Sequence, residues 1–114
     1  MGYRTSAKMG GVDVLRFEGD LNAAAMVKMK QRLTRLLNKN HKKLLLNLSS
    51  ARRVDLAGLG ILVDRLMKVR ALNGDIKLCN IRPEVAKTFN LIGVSGLMES
   101  FGSEEEAIQS FAAS

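Results

Sequence analysis

The run Leu44-Leu45-Leu46-Asn47-Leu48 constrains the fold more than any other stretch of this chain. It is short, nearly all apolar, and bounded by Lys42-Lys43 on one side and Ser49-Ser50 on the other. A strand with one wet face alternates apolar and polar residues, whereas a strand covered on both faces reads as a continuous apolar run. The run therefore predicts a buried central strand. Segments of helical period flank it. Before it, Ala23 to Asn38 sets Met26, Met29, Leu33, Leu36 and Leu37 at spacings of three and four, which marks an amphipathic helix. After it, from about Leu56 to Leu72, Leu59, Leu62, Val63, Leu66 and Val69 form a second apolar stripe. Strands joined through helices pair in parallel by crossovers.

The remaining elements follow from shorter signals. Tyr3 to Met9 alternates weakly, Gly10-Gly11 has the composition of a two-residue hairpin turn, and Val12 to Gly19 alternates again. That predicts an antiparallel hairpin ahead of the first helix. Asn22 is placed to cap that helix, and Asn73-Gly74 to stop the second. Asp75 to Asn80 reads as a strand. Pro83 stands at the first position of a helix that Gly93 ends. Leu97 to Phe101 has room for a short edge strand, and Ser103 with Glu106 forms the S-x-x-E box before a last helix. The order ββαβαβαβα is of the α/β class, a mixed sheet with parallel crossovers in its middle. The 114 residues fit one domain, 1–114, without linker or repeat.

Composition narrows the functional classes. The core is aliphatic and rich in Met, with no Trp. No apolar stretch is long enough to cross a membrane, and the N-terminal residues lack the apolar segment of a secretory signal. The single cysteine, Cys79, cannot form an internal disulfide, which suits a reducing cytoplasm. The net charge of +7 is concentrated between residues 28 and 70. Lys28, Arg32, Arg35 and Lys39 share a helix face, but no aromatic residue interleaves them and no nucleic-acid motif contains them. A solvated face or an acidic protein partner accounts for them better than nucleic acid does.

Signals for catalysis are sparse. The one histidine, His41, lies in the polar tract NKNHKK, where a solvated turn is expected. No two of the five Asp residues have the spacing of an acid/base pair. One Cys and one His, far apart, make no zinc site. Cys79 falls within a predicted buried strand and reads as a small core residue. Gly58 and Gly60 suggest a phosphate cradle, yet Val63 occupies the third glycine position of G-x-G-x-x-G, and no Gly-Lys-Ser/Thr follows. The plainer expectation is close helix packing at the two glycines, with Asp55 capping the helix. These features predict neither an enzyme nor a cofactor.

The hairpin, GDLNA from Gly19, LLLNL from Leu44, VDLAGLGIL from Val54, NGDIKLCNIRPEVAKTFNLIGVSGL from Asn73 and SEEEAI from Ser103 follow one another as in a STAS domain. The chain resembles the stand-alone bacterial anti-sigma-factor antagonists over about residues 5 to 112. The resemblance implies a mixed sheet with helices packed on one side, and a binding module. It implies a partner that is both an anti-sigma factor and a serine kinase with a GHKL-type ATP fold. Binding frees a sigma factor, and phosphorylation of a serine at the start of the second helix ends binding. The family motif there is Asp-Ser-Ser/Ala-Gly-Leu. Asp55, Gly58 and Leu59 match it, Leu56 and Ala57 fill the middle, and Ala57 stands where the phosphate would go. Alanine has no hydroxyl, so the usual switch is expected to be missing. The family's Gly-Glu-Leu-Asp corresponds to Gly19, Asp20, Leu21 and Asn22.

The expected docking surface is Asp55, Leu56, Ala57, Gly58 and Leu59, with Asp20, Asn22, Arg52 and Arg53 around it. Leu56 would be the apolar anchor and the two arginines a polar rim. An alternative within the family is a soluble subunit that braces the ATPase of a membrane transporter. Both readings place the chain in the cytoplasm without membrane insertion, and both leave room for a homodimer.

Overall fold

The computed structural model describes residues 2–112, with side chains from residue 8 onward. The elements are β1 (Gly2–Met9), β2 (Val12–Glu18), α1 (Ala23–Asn38), β3 (Lys43–Asn47), α2 (Leu56–Ala71), β4 (Asp75–Cys79), α3 (Pro83–Ile92), β5 (Ser100–Phe101) and α4 (Glu104–Ala112). The expected order is reproduced. The sheet runs β1-β2-β3-β4-β5, with β1 antiparallel to β2 and every later pair parallel. Gly10 and Gly11 both take positive φ between the paired Met9 and Val12, the backbone that a tight hairpin demands.

Strand alternation sorts the core into two layers. Leu15, Phe17, Leu44, Leu46, Ile76 and Leu78 face one way, against Met26, Met29, Leu33, Leu59, Leu62, Leu66 and Val85 of the helices. Val12, Val14, Leu45 and Cys79 face the other way, against Ala107 and Phe111. The leucine run of β3 is thus split between both layers, as its lack of alternation implies. Each such leucine, taken fully out of water, stabilises the fold by about 1.5–3 kcal/mol.

The helices do not all lie on one side, as the resemblance implied. α1, α2 and α3 share a face because each crossover steps one strand over with the same hand. α4 follows the last strand and makes no crossover. It folds under the sheet and covers the apolar residues that the first three helices leave bare.

α2 ends at Ala71, with Asn73-Gly74 closing it as the sequence leads one to expect. Asn73, not Gly74, carries the left-handed backbone, with φ of 66°. The amides of Asn73 and Gly74 close onto the Arg70 and Val69 carbonyls.

Candidate functional site

The start of α2 stands at the carboxyl end of β3, beside the loop that leads from β2 into α1. These two loops are stitched together by backbone. The Leu21 amide donates to the Arg53 carbonyl at 2.9 Å, and the Asp55 amide donates to the Leu21 carbonyl at 3.0 Å. Asp20 adds a side-chain stitch: its Oδ1 accepts from the amides of both Arg52 and Arg53 at 3.0 Å. An ionised oxygen shared by two amides fixes the loop more firmly than a neutral acceptor would.

Both helix starts are capped as their residue types foretell. Asn22 Oδ1 accepts from the Ala25 amide at 2.9 Å, and Asp55 Oδ1 accepts from the Gly58 amide at 2.7 Å. Gly58 has a second reason to be glycine. A Cβ there would stand 2.6 Å from the Leu21 carbonyl oxygen. The helix can approach the α1 loop only without a side chain at this position. Gly60 has no such reason, since a Cβ on it would meet open space. The expectation that both glycines serve close packing is corrected for Gly60.

The expected docking residues therefore divide by environment. Gly58 and Leu59 are buried, Leu59 beneath the helix in the main core, so neither offers a surface to a partner. Asp20, Asn22 and Asp55 direct an oxygen to backbone amides of this chain. Arg52, Arg53, Leu56 and Ala57 are exposed. Leu56 is 70% exposed at the first position of α2, on a backbone held from both sides. Fixing a large apolar side chain in water gains nothing for the fold itself.

Groups away from this surface are explained by the fold. Cys79 is buried, and burial pushes its thiol up to about 12, the behaviour of an inert core residue. His41 is not the solvated residue its polar tract suggested. It is half-buried, with Nδ1 3.2 Å from Oδ2 of the buried Asp13. The short β2 hairpin brings that carboxylate under the α1–β3 turn, which spacing along the chain could not reveal. Among the described residues no cluster of His, Cys, Asp and Glu could hold a metal ion, and no helix is long and apolar enough to cross a membrane.

One group went unnoticed in the sequence. Arg82, just ahead of α3, reaches back to the β3–α2 loop, and its Nη1 donates to the Ser49 carbonyl at 3.0 Å. It lines a cleft with Asn80 and Ser100. Nothing in the local pattern marks Arg82, because its hydrogen-bond partner Ser49 lies 33 residues earlier, in the β3–α2 loop.

Comparison with known proteins agrees with this architecture. A candidate anti-sigma factor antagonist, BtrV of Bordetella bronchiseptica, is 23% identical over 107 residues, covering 94% of this chain and 92% of its own. The crystal structure of a candidate anti-sigma factor antagonist from Thermotoga maritima superposes with a TM-score of 0.86 at 21% identity, covering 93% of this chain and 92% of that one. The anti-sigma factor antagonist SpoIIAA in its unphosphorylated form superposes with a TM-score of 0.77 at 19% identity, over 99% of this chain and 100% of that one. The STAS domain profile matches residues 3–107, and the chain belongs to the STAS domain family.

Proposed function

We propose that this protein is an anti-sigma-factor antagonist that docks through the start of α2. The exposed Leu56, presented at the first position of a helix pinned by Asp20, Leu21 and Asp55, carries the reading. An apolar residue fixed outside the core is suited to fill a partner's pocket. Arg52 and Arg53, both exposed, surround it with positive charge. The relatives named as antagonists support the same assignment. The partner is an anti-sigma factor that is also a serine kinase of GHKL-type fold.

Ala57 makes this docking surface permanent. Phosphate would add about 1.5–2 negative charges at the position, but residues 55–59 are Asp, Leu, Ala, Gly and Leu, and none has a hydroxyl. Binding is then controlled by the amounts of the two proteins. Affinity capture with identification of the bound protein should recover a protein with a GHKL-type ATPase fold. Recovery of a transporter ATPase in its place would overturn the reading. With the purified partner, Leu56→Asp should weaken binding at least about tenfold, or ~1.4 kcal/mol, and leave the melting temperature unchanged. Equal affinity would remove Leu56 as the anchor. Incubation with the kinase and ATP should leave the chain unphosphorylated, while phosphate on Ser49 or Ser50 would show a switch relocated to the preceding loop.

A further inference from the structure

We propose that the cleft at the carboxyl ends of β3, β4 and β5 binds a phosphate-type oxyanion through the Arg82 guanidinium. The cleft has a volume of about 490 Å³, and Ser49, Asn80, Arg82 and Ser100 supply its polar wall, with Ile81 and Phe101 as apolar wall. That size and that mixture suit a small ligand. Its place suits one too, since open α/β sheets receive ligands beyond the carboxyl ends of parallel strands.

Arg82 is held in a way that leaves its Nε without a hydrogen bond among the described residues. Nη1 is tied to the Ser49 carbonyl at 3.0 Å. Nε is shielded from solvent and has no hydrogen-bond acceptor among the described residues. The Glu84 carboxylate oxygen Oε1 forms a long ion pair with it at 3.9 Å, beyond hydrogen-bond reach, and is the charge a ligand must compete with. The Nε–Nη2 edge of a guanidinium is the fork that matches two oxygens of a phosphate. No acidic residue is among those lining the cleft. α3 begins at the same rim and adds the positive end of its dipole. The inference is independent of docking at Leu56, because it uses neither that residue nor a protein partner.

Nitrogen-15 NMR on the intact chain tests it. The Arg82 Nε–Hε resonance and the Ser49 and Ala86 amides are followed during titration with sodium phosphate, against sodium chloride at matched ionic strength. Phosphate should give a saturable shift confined to the cleft, and chloride should not. Arg82→Gln should weaken binding by about tenfold or more. Ser49→Glu, a change on an exposed loop, should do the same by placing a carboxylate at the rim. Glu84→Gln should tighten binding by removing the competing charge. Equal responses to phosphate and chloride would overturn the proposal. So would shifts that follow the basic face of α1 or persist in Arg82→Gln. Repeating the titration with glycerol 3-phosphate separates the sources: a tighter fit assigns a phosphorylated small molecule, and an equal or weaker one assigns free phosphate.

Discussion

Arg16 and Glu104 lie 88 residues apart and hold each other by two hydrogen bonds, Nε to Oε2 at 2.8 Å and Nη2 to Oε1 at 2.9 Å. Asn47, the neighbour of Arg16 across β2 and β3, donates a third bond to Oε2 at 2.7 Å. Two strands thus grip the first residue of α4 and set that helix against the second face of the sheet.

This grip makes stability depend on acid. The Arg16 guanidinium, aided by the Asn47 amide, holds the Glu104 carboxyl below its ordinary value of 4.5. The folded state therefore favours the ionised form. The contribution is complete above the unfolded value and disappears as pH falls through the lower folded one. Glu104→Gln should cost about 1–2 kcal/mol at neutral pH. Urea unfolding of both proteins across the acid range should show the difference shrinking below about pH 4.5. A difference constant with pH would contradict the ion pair's role.

Cys79 should resist modification while the protein is folded. Its thiol is buried and pushed up to about 12, so the reactive thiolate is scarce near neutral pH. Alkylation by iodoacetamide should proceed at the unfolding-limited rate in buffer and become fast in urea. Rapid labelling without denaturant would show that α4 lifts from the sheet.

The two glycines of α2 should respond in opposite directions to alanine. Gly58→Ala forces a Cβ to within 2.6 Å of the Leu21 carbonyl oxygen, a backbone atom that cannot turn aside. A loss of about 1–3 kcal/mol is expected from overpacking. Gly60→Ala meets open space and should gain about 0.5–1 kcal/mol through lower chain entropy and better helix propensity. Thermal melts of the pair provide the check, and equal shifts would refute the close approach at Gly58.

Asp20 should prove to be a loop stitch. Asp20→Ala removes the acceptor of the Arg52 and Arg53 amides, for a loss of about 1–2 kcal/mol. Hydrogen exchange at those two amides should accelerate in the variant. Asp20→Asn keeps a side-chain oxygen and should restore most of the protection.

Much of the fold was legible from residues alone because its signals are local. The leucine run of β3 lacks alternation, so it had to be covered on both faces. The spacing of Met26, Met29 and Leu33 defines one side of α1 through helical geometry alone. Asn22, Asp55, Pro83 and Ser103 mark helix starts through bonds or ring constraints within one turn. The same locality shows that Ala57 lacks a hydroxyl.

Relations between distant segments had to await the tertiary structure. His41 reads as a solvated turn residue, yet the fold sets it 3.2 Å from the buried Asp13 carboxylate, 28 residues earlier in the chain. Gly58 and Gly60 are alike in sequence, and only the Leu21 carbonyl distinguishes them. The placement of α4 beneath the sheet follows from which strand faces remain uncovered once three crossovers have chosen a side. Arg82 meets Ser49 because parallel strands deliver their carboxyl-end loops to one rim. In each case the deciding neighbour lies many residues away, and the pattern along a chain records period and propensity but not which surfaces have already been used.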